Sequence, residues 1–300
     1  HLWIRRQRQM CIRDRMPNRY VLCAICGFVG LSLSAAGIKQ LLLTTDHWSI
    51  IFPILLNSSI MMGIALFITQ GRQGFVITRW GFHLFRGLLG FSGILCGILG
   101  LKYLNLGLFQ TLVNLYPVIT LILAALILKE AVGWRVWLAV GLSLGGVAFA
   151  FDPKLEGGIF IFFPLAVALA LAGQSIIVRY HPKDSSITWA FYTEIVASCF
   201  AFVAFMTLGD RKLPFDQPFL FAGVAIVDGL SIFLITHAFH GERAGKVAPL
   251  AYLSIVSGAF FGFIFFQETL HWEMLVAAFL IICCGIYALR EAETGGSLQD

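Results

Sequence analysis

The chain has 300 residues, 59% of them hydrophobic and only 12% charged, with a formal net charge of +5. Soluble domains carry about 25% charged residues, so a soluble globular fold is excluded. The basic residues fall in short connections between apolar runs, which excludes a nucleic-acid surface and marks them as topology signals.

The first fifteen residues, HLWIRRQRQMCIRDR, hold five arginines and no apolar core of a signal peptide. They read as a non-native leader, with Met16 as the expected start. Apolar runs of about 20 residues then recur, the length that crosses ~30 Å at 1.5 Å per residue. They lie near 20–42, 49–69, 82–101, 107–128, 134–151, 158–178, 187–208, 218–240, 246–266 and 272–290. The expected fold is an all-α integral membrane protein of ten transmembrane helices, with residues 291–300 as a cytoplasmic tail.

An internal repeat organises these spans. LKEAVGW at 128–134 resembles FQETLHW at 266–272: each puts a glutamate at the end of an apolar run and a tryptophan four residues later. The offset of 138 also aligns Gly71 with Gly209, Gly107 with Gly245 and Leu112 with Leu250. It divides the chain into a first five-helix repeat, 16–152, and a second, 153–290. Five crossings reverse polarity, so the repeats must be inverted, a recurring plan of secondary transporters with the site at the repeat interface.

Charge sets the orientation. With the N-terminus inside, the inner segments carry Arg19, Arg72, Arg79, Lys129, Arg135, Arg179, Lys183, Arg243, Lys246 and Arg290, against Lys102, Lys154, Arg211 and Lys212 outside. Ten against four places both termini in the cytoplasm of a multi-pass protein of the plasma or inner membrane.

LFRGLLG at 84–90, YLNLGLFQTLVNLYPVITLILAALILKE at 103–130 and FFQETLHW at 265–272 together resemble the EamA-type drug/metabolite transporter pattern. The matching positions are Trp80, Arg86, Gly87, Pro117, Glu130 and Glu268, over Met16 to about Arg290. The second half departs from the pattern, with Ile255 opposite Pro117 and no arginine in the eighth span. The resemblance implies a transporter fold and makes these positions structural; it says little about the solute.

The polar residues within spans suggest a site. Gly87, Gly90, Gly93, Gly97 and Gly100 strip one face of the third span, and Gly27, Gly30, Ser34 and Gly37 do the same in the first; such faces let membrane helices pack closely. Adding 138 to the third-span set gives Ala225, Asp228, Ser231, Ile235 and Ala238, so Asp228 stands opposite Gly90 on an inward face. A carboxylate in the bilayer costs about 2.5–3.5 kcal/mol, so Asp228 is expected to face protein or a cavity and to bind the solute or a coupling proton, the alternative being a structural cap. Glu194 is either a second proton carrier or a group reaching the inner interface. Lys39 either snorkels outward or enters the cavity. Arg86 is expected to anchor helices. Gln110, Asn114 and Pro117 form one stripe on the fourth span, and the offset maps Asn114 onto Tyr252, near Ser254 and Ser257; these are cavity-lining candidates, as is Gln174. Glu130 and Glu268 end helices, against the macrodipole, and read as interface turn devices.

Cys23, Cys26, Cys96, Cys199, Cys283 and Cys284 lie in apolar segments. CAIC at 23–26 has the spacing of a metal pair, but no second pair or histidine cluster accompanies it. The thiols read as buried and apolar, and neither a metal nor a cofactor is expected.

The function these signs favour is secondary transport, by export, of small polar metabolites such as amino acids, with protons as a candidate coupling ion and a homodimer as an open alternative to a monomer. Two other classes stay open: an intramembrane serine hydrolase, from GFSG at 90–93 (Ser92) and GLSLG at 141–145 (Ser143) with His237 as base, and a transport-inactive membrane scaffold.

Overall fold

The computed structural model describes residues 19–129, 134, 137–138, 141–142, 144–146, 158–181, 183–209, 217–241, 247–269 and 272–296. The described residues form helices and short connections. In chain order these are α1 (Arg19–Leu41), α2 (His47–Gln70), α3 (Trp80–Tyr103), α4 (Leu106–Val113), α5 (Tyr116–Leu123), α6 (Phe162–Tyr180), α7 (Ser186–Leu208), α8 (Pro218–Gly241), α9 (Leu253–Phe266) and α10 (Trp272–Gly296). Seven helices among the described residues are long and apolar enough to cross a membrane, and Leu250–Phe266 and Leu275–Cys284 are shorter apolar helices. Most of the expected fifth span, with Glu130 and Ser143, lies outside the described residues.

Local sequence explains where several helices begin. Asp46, Asn105 and Ser185 sit in extended conformation ahead of α2, α4 and α7, and each side chain accepts from a backbone N–H in the first turn. That satisfies one of the donors a helix start leaves unpaired. The fourth span is not one continuous helix. It turns at Asn114 and Leu115 and restarts as α5, with Pro117 in the first turn, where a missing N–H costs nothing. The ninth span likewise opens as a 3-10 turn, Ala248–Tyr252, before α9. Two helices end on non-glycine residues in left-handed conformation, Lys129 (φ 56°) and Gln267 (φ 53°).

The exterior is apolar. Phe219, Ile68, Val76, Leu126 and Phe263 are all exposed, as expected of helices whose outer surface meets lipid rather than water. The interior is built of close helix pairs: α8 lies against α1 and α2, α3 against α6 and α7, and α9 against α1 and α4. The small faces sit at these contacts. A Cβ at Gly30 would come within 2.4 Å of Ser231 Oγ, and one at Gly87 within 2.4 Å of Val196 Cβ.

The cysteines correct one expectation. Cys26, Cys199 and Cys283 are exposed rather than buried; a thiol is apolar enough to face lipid, so an apolar span does not imply an interior position.

Candidate functional site

Asp228 lies midway along α8 on the face that carries Ala225, Ser231 and Ala238, and all four residues are buried. α1 and α2 bring a hydroxyl to each carboxylate oxygen: Ser34 Oγ donates to Oδ1 at 2.8 Å and Ser58 Oγ to Oδ2 at 3.2 Å. Hydrogen bonds to a charged group contribute about 1.5–3 kcal/mol each, comparable with the cost of placing the carboxylate there. Asn57 beside them donates to Ala225 O at 2.6 Å and ties α2 to the same turn of α8. Ser34 also lines a cavity of about 330 Å³ between α1, α8 and the end of α9, whose walls are apolar apart from Ser34 and Gln40, with Leu33, Gly37, Val224 and Phe266 among them.

A second polar group joins α1, α4 and α9. Asn114 Nδ2 donates to Ser254 Oγ at 2.7 Å and to Gln110 O at 2.8 Å. Ser257 Oγ donates to Ser32 Oγ at 2.9 Å, and Ser32 Oγ to Ser254 O at 3.2 Å. Gln110 is buried, with its Cγ against Gly258. Tyr252 is buried in the adjoining apolar cluster with Leu115 and Ile255, and its hydroxyl has no partner among the described residues. Asn114, Ser254 and Ser257 thus join one network with Ser32, and none of them lines the cavity beside Ser34. Gln174 takes part in neither group; it is half-buried on α6.

Two further candidates meet each other. Lys39 Nζ pairs with Glu268 and donates to Leu104 O at 2.6 Å. Glu268 closes the turn at the end of its own helix, its backbone N–H donating to Gly262 O at 3.2 Å beside the left-handed Gln267, and its side chain does more. Its Oε2 accepts from Leu106 N, the start of α4, at 2.7 Å. The charge that looked misplaced after α9 sits at the N-terminus of α4, where the macrodipole favours an anion.

At the opposite end of α3, Arg86 Nη1 donates to Trp189 O on α7 at 2.8 Å, the anchoring expected of it. Gly90 faces Thr193 Cγ2 in the same seam. Glu194 is within electrostatic reach of both Asp228 and Arg86, and its Oε2 is buried without a partner among the described residues. His83 and Asp184 were missed by sequence reasoning. The His83 side chain is fully buried and stacked on Trp189 at 3.9 Å, and its Nε2 meets Asp184 Oδ2 at 2.9 Å. Asp184 also accepts from Thr78 Oγ1 at 2.8 Å, and Thr78 meets His181 Nε2 at 3.2 Å. Burial works to raise the Asp184 carboxyl, but the hydrogen bonds from His83 and Thr78 outweigh it and hold its pKa below the ordinary carboxylate value. A histidine at the start of an apolar run, shielded on all sides of a membrane helix, was the available signal.

Ser92, from the hydrolase motif, donates to Leu89 O on its own helix, while His237 is stacked near Phe233 and Tyr20. Among the described residues, no group of three or more His, Cys, Asp or Glu could hold a metal ion.

A buried carboxylate and a hydroxyl–amide group thus lie inside an apolar helical bundle. The family model of the EamA-like transporter family matches this chain twice, over residues 18–151 and 158–290. The chain belongs to the EamA-like transporter family. It is a multi-pass helical membrane protein and a transporter of a small molecule. As an EamA-like chain it is 27% identical over 233 residues to an S-adenosylmethionine uptake transporter of Rickettsia bellii, covering 75% of this chain and 79% of that protein. It is 25% identical to the protein of the same name from Rickettsia prowazekii, over 85% of this chain and 90% of that one. The pseudopaline exporter CntI of Pseudomonas aeruginosa is 22% identical over 95% of this chain and its own full length. A solved crystal structure superposes with a TM-score of 0.62 at 14% identity, covering 92% of this chain and 96% of that one, which supports the fold alone.

Proposed function

We propose that the chain is a ten-helix transporter of two inverted five-helix repeats, moving amino-acid-related solutes by alternating access, with Asp228 holding the solute's cationic group or the coupling proton. The reading rests first on Asp228, a buried carboxylate at mid-span held by one hydroxyl from each of α1 and α2. Membrane-embedded ionisable groups are functional candidates by default.

Backbone features support the repeat. The two left-handed non-glycine residues among the described residues, Lys129 and Gln267, are 267 − 129 = 138 positions apart. The break at Asn114 and the end of the 3-10 turn at Tyr252 differ by the same 252 − 114 = 138. Helix pairs also correspond, since α8 against α1 and α2 matches α3 against α6 and α7. The inner basic residues favour cytoplasmic termini, and a plasma or inner membrane is the expected location.

The solute class is argued from the two polar groups. One carboxylate with the hydroxyls of Ser34 and Ser58, and the amides and hydroxyl of Asn114, Gln110 and Ser254 in the second group, suit a zwitterion or a monocation; a phosphorylated solute would want several bases. S-adenosylmethionine, in the names of the Rickettsia relatives, carries an amino-acid head and a sulfonium charge. Those names and that of the exporter divide between uptake and export, so transport is measured in both directions.

Proteoliposomes carrying the purified chain test this with radiolabelled S-adenosylmethionine and an amino-acid panel. Saturable transport is expected, falling at least about tenfold in Asp228→Asn, the effect of about 1.4 kcal/mol of lost interaction. Strong transport of sugar phosphates alone would overturn the solute class. An Asp228→Asn protein that inserts normally and transports with unchanged rate and pH dependence would remove Asp228 from the mechanism.

A further inference from the structure

Of six buried side-chain polar atoms without a partner among the described residues, four lie in the seam of α3 and α7: His83 Nδ1, Arg86 Nε, Trp189 Nε1 and Glu194 Oε2. Buried polar atoms are paired in the great majority of cases, and four of these six exceptions fall in one seam. Along α3 and α7 polar groups succeed one another. Glu194 is in electrostatic reach of Asp228 at one end and of Arg86 at the other. Arg86 bonds to Trp189 O, His83 stacks on Trp189, and His83 Nε2 meets Asp184. Asp184 accepts from Thr78, which is exposed. A run of polar groups thus links mid-membrane to one face, the face that the charge bias puts in the cytoplasm.

We propose that this seam is the route by which Glu194 exchanges its proton with the cytoplasm, with His83 as the relay and Asp184 as the mouth. The proposal rests on the transport reading only in giving the proton a use at Asp228. Histidine suits the position because its two ring nitrogens accept and donate at once, and its ordinary pKa lies between pH 5 and 8. In the outward step a proton leaves the Glu194 carboxyl through water in the seam and is taken by Nδ1 of neutral His83. Nε2 releases its own proton to the Asp184 carboxylate, and solvent at Thr78 removes it. One proton has moved, Glu194 is left as a carboxylate within reach of Arg86, and His83 is again neutral. The titratable and charged groups facing His83 are Arg86 on its own helix, Tyr192 on α7, and Asp184 and His181 on the connection between α6 and α7. The Asp184 carboxylate, 2.9 Å from Nε2, is placed to take the proton that the ring releases.

The experiment needs no solute. Time-resolved infrared spectroscopy of the intact chain in lipid nanodiscs follows the protonated-carboxyl band after a pH jump, with the Glu194 component assigned by its loss in Glu194→Gln. His83→Gln still reaches Asp184 but cannot relay, and is expected to slow this component by roughly 100-fold, the lower end of what a positioned proton carrier contributes. Asp184→Asn, a milder change at the mouth, is expected to slow it as well and serves if His83→Gln does not fold. Unchanged exchange rates in the folded variants overturn the proposal, as does the absence of any band lost in Glu194→Gln. If Asp228→Asn abolishes transport while His83→Gln exchanges normally, the relay fails alone; if exchange slows but Asp228→Asn transports normally, the transport reading fails and the relay stands.

Discussion

The two ends of the bundle are closed by different chemistry. At one end Lys39 and Glu268 join α1 to the segment after α9, and Glu268 also caps α4. At the other, His83 and Thr78 from the first half of the chain meet Asp184 and His181 from the second. The first closure pairs a lysine with a glutamate. The second sets His83 and Thr78 on one aspartate, with His181 on the threonine. On the alternating-access reading, one end is held by a lysine–glutamate pair and the other by a histidine–aspartate contact.

Breaking the first closure should have the largest effect. Lys39→Met leaves Glu268 without its cation; loss of one partner of a fully buried pair costs about 3 kcal/mol or more, and this partly buried pair should lose up to about that much. Thermal unfolding in detergent should show that loss, and Lys39→Met with Glu268→Gln should recover part of it. Full additivity of the two changes would mean that the pair is not coupled.

A smaller effect is expected in the seam that leads to the second closure. Gly87→Ala places a methyl 2.4 Å from Val196 Cβ, so α3 and α7 must part, at about 1–3 kcal/mol. No charge is touched, so the pH dependence of stability should keep its wild-type shape while the whole curve falls.

The smallest effect sharpens the comparison most. The pKa of Asp184 is held below the ordinary carboxylate value by His83 and Thr78. A depressed pKa contributes stability that is fully present above the unfolded value of about 3.9 and lost as pH falls through the folded value. Asp184→Asn should flatten this acid limb and leave the melting temperature at pH 7 only slightly lowered. An acid limb of unchanged shape would show that Asp184 does not sense pH.

Much of the architecture was legible because a bilayer demands long apolar runs. The runs expected at 20–42 and 187–208 emerge as Arg19–Leu41 and Ser186–Leu208. The division of the fourth span was less visible. Pro117 hinted at it, but the turn is made at Asn114 and Leu115, whose letters carry no such signal. Asp228 could be placed inward because the offset set it against a glycine face. Ser58 could not be assigned to it, since serine is ordinary in membrane helices and its partner is 170 positions away. Lys39 and Glu268 were both singled out, yet not as a pair, because 229 positions separate them. His83 and Asp184 were missed for the same reason, with 101 positions between them and neither at mid-span.

The left-handed residues Lys129 and Gln267 carry a last consequence. An αL helix end is a demand on the main chain that many side chains meet, at a cost of about 1–2 kcal/mol for any residue but glycine, and most poorly for β-branched ones. Such a position can change its letter freely while keeping its angle. On the two-repeat reading, this is how two halves with few shared residues remain superimposable: ancestry is recorded in torsion angles, where mutation overwrites it slowly, after the alphabet has nearly forgotten it.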